Sequence, residues 1–145
     1  MERFYDPQNR HPSGLLKEYE HWALEVSYLQ HTFGNFIVFC KRKGVEKISE
    51  LTNEELLQLK TVLQEIESAL LNNPTFKPDR FNYWQMGNAL HHLHIHGIPR
   101  YKSDREFLGR TWKDPDPTKP VVWTYENQTD DTVVSLRNEI KKVLK

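Results

Sequence analysis

From His91 to Arg100 the chain reads HHLHIHGIPR, with four of its seven histidines inside six residues. A strand sends successive side chains to opposite faces. If this run is a strand, His92, His94 and His96 share one face, each about 6.5–7 Å from the next along the chain. His91, Leu93 and Ile95 then point the other way, and Leu93 with Ile95 can enter a core. The run therefore asks for a strand with one apolar buried side and a second side on which three imidazoles stand together.

Three chemistries fit such a row. Histidines tolerated as filler are the first, but three in register are hard to assign to chance. A metal site is the second, since neutral imidazole is the commonest metal ligand. Two histidines at i and i+2 can reach one ion, whereas a third at i+4 lies about 13 Å from the first along the strand. No cysteine pair or HExxH helix supplies further ligands. The third is a nucleophile directed at phosphorus. An imidazole titrates near neutrality, so one nitrogen can attack while a hydrogen bond at the other fixes the tautomer. Its neighbours can donate to phosphate oxygens or protonate a leaving group. Only this chemistry uses all three aligned residues.

The rest of the chain supplies a frame for that strand. Residues 1–14 are polar, with two prolines and a glycine, and read as a loosely packed arm. WALEVSYL places Trp22, Leu24, Val26 and Tyr28 on one strand face, and FIVFCK at 36–41 reads as a second, buried strand. A short glycine-containing turn joins them as a hairpin. Thr52 and Glu55 have capping-box spacing, and Leu56, Leu59, Leu63, Ile66 and Leu70 follow as a helical stripe. Asn72, Asn73 and Pro74 end that helix. FNYWQM at 81–86 is strand-like, Leu90 to Ile98 is the histidine strand, and Pro99 closes it. Residues 102–120 form a polar loop or flap, within which Trp112 could close over a ligand. VVWTY at 121–125 is a short strand. Residues 129–145 carry a final helix, capped at Thr129 or Asp130, with Val133, Leu136, Ile140 and Val143 as its stripe. Trp84 and Trp123 read as core. The whole of 1–145 fits one α+β unit, an antiparallel sheet of about five strands with a long helix and a C-terminal helix packed on it.

Charge excludes one class of partner. Lysine plus arginine and aspartate plus glutamate each number 20, so the chain lacks the basic excess of a bulk nucleic-acid binder. Cys40 is the single cysteine, which precludes an internal disulfide and agrees with a reducing compartment. Its thiol is expected in a strand core and not as a nucleophile. The first residues lack the apolar core of a secretory signal, and no stretch nears the roughly 20 apolar residues of a membrane span. A cytoplasmic protein without membrane contact is the expectation.

QMGNALHHLHIHGIPRY resembles the signature of the histidine triad (HIT) family, in which three histidines alternate with apolar residues and Pro-Arg often follows. Here those are His92, Leu93, His94, Ile95, His96, Pro99 and Arg100. Upstream, Gly34, the basic run Lys41 to Lys43, and Leu51 to Glu55 opening a long helix are similar too. The resemblance spans roughly residues 20 to 101. NYWQMGN and the tail resemble most the branch with dinucleoside polyphosphate hydrolase-like members.

The resemblance implies a covalent mechanism at the α-phosphorus of a nucleotide. His94 corresponds to the nucleophile and would form a transient nucleotidyl-histidine. His96 would donate toward the α-phosphate or leaving group, and His92 would hold and orient the nucleophile. Asn88, four residues before the triad, would contact phosphate. Trp22, Leu24 and Phe36 are the apolar candidates for the base and ribose pocket, and Ser27 for the ribose. Arg100 suits the distal phosphates of a polyphosphate, with a salt bridge as its alternative. Hydrolysis of a dinucleoside polyphosphate or nucleoside phosphoramidate is the implied activity. Transfer to an acceptor other than water, or nucleotide sensing without turnover, are its rivals. The covalent step needs no cofactor or protein-bound metal, though a divalent cation could arrive with a polyphosphate. A homodimer is implied as well. Four positions depart from the pattern: Gly97 where an apolar residue is usual, Asn35 for histidine, Asn88 for glutamine, and Ser27 for a longer acidic or amide group. These bear on substrate more than on reaction type.

Overall fold

Wherever a sheet buries one face, register decides which residues meet. The computed structural model describes residues 12–145. Five strands form one antiparallel sheet: β1 (Leu15–Glu18), β2 (Trp22–Val26), β3 (Phe36–Cys40), β4 (Arg80–Trp84) and β5 (His94–Arg100), in the order β1-β2-β3-β5-β4. A separate hairpin holds β6 (Arg105–Phe107) and β7 (Arg110–Trp112). Two helices, α1 (Asn53–Leu71) and α2 (Asp130–Lys141), complete the α+β architecture.

Leu24 pairs with Val38 and Val38 with Ile95, so these share a face of the central strands. Trp22, Leu24, Val26, Phe36, Val38 and Cys40 cluster there with Val62, Ile66 and Leu70 of α1 and Val133, Leu136 and Ile140 of α2. Both helices thus cover the same side. Each such side chain removed from water contributes about 1.5–3 kcal/mol before the entropy of ordering is counted. Trp22 satisfies its indole N–H in this setting by donating to the Glu55 carbonyl at 2.9 Å.

Helix α1 starts where the capping spacing predicts. The Thr52 hydroxyl accepts from Glu55 N at 3.1 Å, and the Glu55 carboxylate accepts from Thr52 N at 2.8 Å. Its buried stripe runs through Glu55, Val62, Ile66, Ala69 and Leu70, one residue out of phase with the expected one at its start, and Leu56 is 42% exposed. At that start Arg42 donates twice to the Glu55 carboxylate, at 3.0 Å each. The basic run at Lys41 to Lys43 is therefore partly a structural tie, and Lys41 also pairs with Glu18 at 2.7 Å. Helix α2 is capped by Thr129, whose hydroxyl accepts from Thr132 N.

Several boundaries differ from expectation. Of the predicted arm, residues 1–11 lie outside the described residues, and Pro12–Gly14 form a 3-10 turn whose Ser13 carbonyl accepts from Arg137. Strand β1 is four residues long, too short for alternation to mark it. Strand β5 starts at His94 and not Leu90, and it runs through Pro99. Its pairing with β3 ends at Phe36 and Gly97, so Pro99 sits where one side of the strand has no ladder to lose. VVWTY is not a strand; that segment makes a single bridge nearby, Leu29 with Asn127. Within 102–120, expected as a loop or flap, residues 105–112 form the β6–β7 hairpin and the rest is irregular. Trp112 packs on Phe33 at 5.0 Å and under Arg110 at 3.7 Å, away from the imidazoles. No described helix is long and apolar enough to cross a membrane.

Candidate active site

The sheet face opposite the helices is set by the same register. Ala23, Phe39 and His94 are in line across β2, β3 and β5, and so are Glu25, Ile37 and His96, with Trp84 of β4 beside His96. A cavity of about 370 Å³ lies on this face, bounded also by Met86, Gly87, Ala89 and Leu90 and by Trp123, Tyr125 and Asn127. His94 and His96 both line it.

His92 does not join them on the strand. It precedes β5, is fully buried, and its Nε2–H donates to the Cys40 carbonyl of β3. Its own carbonyl accepts from His94 Nδ1 at 2.6 Å. A carbonyl can only accept, so His94 carries its proton on Nδ1 and, when neutral, keeps a lone pair on Nε2. The Phe39 ring stacks on His94 at 5.4 Å and 20°, which fixes the plane of that imidazole. The expected row of three is thus two side chains in the cavity and one backbone carbonyl that sets the tautomer. Because His92 is turned to β3, three imidazoles do not converge, and no group of three metal-capable side chains occurs among the described residues.

His96 meets His94 edge-on at 5.1 Å and Trp123 at 4.9 Å. Burial, with smaller contributions from His94 and His31, lowers its pKa to about 4. It is a neutral ring at physiological pH. His31, from the β2–β3 loop, is likewise lowered to about 4 by burial. It stacks on Trp123 at 3.8 Å, and Trp123 lies parallel to Trp84 at 5.6 Å. Both tryptophans belong to this face and not to the core.

The remaining predicted positions divide. Ser27 lines the cavity, and its Oγ accepts from Leu29 N at 3.1 Å. Asn88 is exposed in the segment at the cavity edge, and its carbonyl faces His91 at 3.1 Å. Trp22, Leu24 and Phe36 are core residues, one register step from the cavity; Ile37 and Phe39 form the apolar wall instead. Sequence could not decide this, because FIVFC is apolar on both faces. Phe36 fills a space of its own. A Cβ on Gly97 would fall 2.1 Å from its ring, so the unexpected glycine is the room that ring occupies. Arg100 has no donor left for phosphate. Its guanidinium donates to Asp114, Asn82, Lys119 O and Asp116 O, at 2.6–3.0 Å, with all five N–H groups used. Asn35 spends its amide on the Gly97 and Phe36 carbonyls and accepts from His31 N. Cys40 faces the core, and burial pushes its thiol up to about 11. Reading the chain alone missed His31, Ile37 and Phe39. For His31 the signal was a lone histidine in a polar turn, which has no specificity.

Residues 33–103 match the HIT domain family. A bovine (Bos taurus) m7GpppX diphosphatase is 25% identical over 118 residues, covering 73% of this chain and 35% of that protein. The chain thus spans about a third of the length of the curated relatives it matches. Among solved structures, a histidine triad (HIT) protein from Sinorhizobium meliloti superposes with a TM-score of 0.72 at 17% identity, over 98% of this chain and 97% of that one. The diadenosine triphosphate hydrolase of Plasmodium falciparum gives 0.65 at 14% identity, over 90% of this chain and 75% of that one. At such identities the likeness of the structures is one of fold.

Proposed function

We propose that this chain, whose residues 33–103 match the HIT domain family, hydrolyses nucleotides at the α-phosphorus through a nucleotidyl-histidine on His94. The observation that carries this is the tautomer of His94: Nδ1–H is held by the His92 carbonyl, and Nε2 keeps the lone pair at a nucleotide-sized cavity. In the first displacement Nε2 bonds to phosphorus and the bond to the leaving group breaks, its electron pair departing with that group. Water then attacks phosphorus, the N–P electrons return to Nε2, and one water proton passes to solvent as the nucleoside monophosphate leaves. His96 and Ser27, both in the cavity lining, would donate to phosphoryl or ribose oxygens, and Asn88, exposed between lining residues Gly87 and Ala89, would have to turn inward to reach phosphate. Positioning and aligned donors supply most of the rate.

The names of the similar proteins bear on the leaving group. A dinucleoside polyphosphate or a methylated cap dinucleotide is the substrate class proposed ahead of a phosphoramidate. The m7GpppX diphosphatase and diadenosine triphosphate hydrolase relatives act on the same kind of bond by their names. Any divalent cation comes with the polyphosphate, and the partner is a second copy of the chain, which sedimentation tests.

The deciding experiment incubates the protein with diadenosine tetraphosphate, a cap dinucleotide and an adenosine phosphoramidate, with mass analysis of rapidly quenched samples. A nucleotidyl adduct is expected in wild type. In His94→Ala the adduct should be absent and turnover lower by roughly a thousandfold or more. Hydrolysis that survives His94→Ala overturns the assignment, and a faster phosphoramidate overturns the preference.

A further inference from the structure

Two nitrogens beside the cavity have no hydrogen-bond partner among the described residues: Nε2 of His31 and Nδ1 of His96. Both rings are more than nine-tenths buried, at 8% and 6% exposure. Buried polar atoms of this kind are costly to leave unmatched.

The chemistry of the two atoms is complementary. The backbone N–H of Thr124 donates to His31 Nδ1 at 3.1 Å, so that nitrogen holds a lone pair and the neutral ring carries its proton on Nε2. His31 is thus a donor whose acceptor is missing. His96 stands edge-on to it, with 6.2 Å between ring centroids and 68° between planes. That separation suits a small rotation into direct contact or one bridging water. The His31 ring cannot simply turn away, because Trp123 lies against it at 3.8 Å and Thr124 N–H holds its Nδ1.

We propose that His31 is a positioning residue for His96: its Nε2–H donates, directly or through one water, to His96 Nδ1 and confines the His96 proton to Nε2. Since Nδ1 is sealed inside the protein, Nε2 is the nitrogen His96 can turn toward a ligand. The ring then always presents a donor to a phosphoryl oxygen and never a lone pair, which would repel it. The benefit to catalysis rests on the hydrolase proposal, whereas the tautomer lock does not.

The test reads the tautomer first. Long-range 1H–15N correlation spectra of ligand-free, 15N-labelled protein should place the His96 proton on Nε2. His31→Phe keeps a ring against Trp123 but removes the donor, and His96 should become a mixture of tautomers. His31→Gln returns an N–H near the lost one and should restore the single form. On the best substrate, kcat should fall by tens of fold in the phenylalanine variant with KM within about twofold, and the glutamine variant should recover most of it. A wild-type His96 protonated on Nδ1 overturns the proposal, and so does an unchanged tautomer in a folded His31→Phe. Should His31→Phe fail to fold, the wild-type tautomer and the glutamine variant decide. A locked tautomer without turnover counts against the hydrolase reading and leaves the lock standing.

Discussion

Arg100 is nearly fully buried, and so is Asp114, to which it donates twice, at 2.7 and 3.0 Å. Its remaining N–H groups hold the 113–120 loop and Asn82 of β4. Truncation would strand a buried carboxylate, and breaking such a pair costs about 3–5 kcal/mol. Arg100→Ala is therefore expected to lower unfolding free energy by that amount in urea titration. In whatever fraction folds, KM for a polyphosphate should change little, because no N–H was left for phosphate. A tenfold rise in KM with full stability would restore the phosphate role. Sequence could not separate the two outcomes, since Arg100 gives no sign that an acceptor waits 14 residues on. The imidazoles were far more legible. Their alternation put His94 and His96 on one sheet face, where both line the cavity, although the part His92 plays through its carbonyl depends on where β5 begins.

Elements were legible where their signals are local. The α1 cap lies within four residues, and Thr52→Ala should cost about 1 kcal/mol in the same titration. Strands were visible as apolar runs, but the faces of β2 and β3 were not, because register is set by partners distant in sequence. The one-step offset that moved Phe36 into the core also explains Gly97. A methyl there meets the Phe36 ring at 2.1 Å, and that ring is closed in on all sides. Gly97→Ala should thus lose about 1–3 kcal/mol by overpacking. Phe36→Ala alone should lose about 3–5 kcal/mol. Combined, the two should cost less than their sum, since the methyl then occupies vacated space. Strict additivity would show that the ring and the glycine do not share that space.

Across the whole molecule, the segment at 121–128 closes the site from a distance no local pattern encodes. It reaches the β2–β3 loop through Gln128 N to Tyr28 O at 2.8 Å and Thr124 N to His31, the latter 93 residues apart in sequence. By covering the sheet face it buries His31 and His96, and this has a consequence for stability. Both rings bind protons less readily when folded, at about 4 against 6.5 in the open chain. The unfolded state therefore gains protons first as pH falls, so their contribution is intact above about 6.5 and is lost between there and 4. At pH 5 linkage gives a loss of roughly 2 kcal/mol per ring at most. Glu55, lowered to about 2 by Arg42, loses its contribution only further down, from about 4.5 toward 2. Urea unfolding should accordingly weaken by up to about 4 kcal/mol from pH 7.5 to 5, well before carboxylates titrate. His96→Gln should remove about half of that slope, because one of the two rings no longer titrates. A bound nucleotide should flatten it as well, since an anion beside His96 favours the protonated ring. A stability flat from pH 7.5 to 5 in the ligand-free protein would mean that water reaches both rings and that the 121–128 segment does not seal the site in solution.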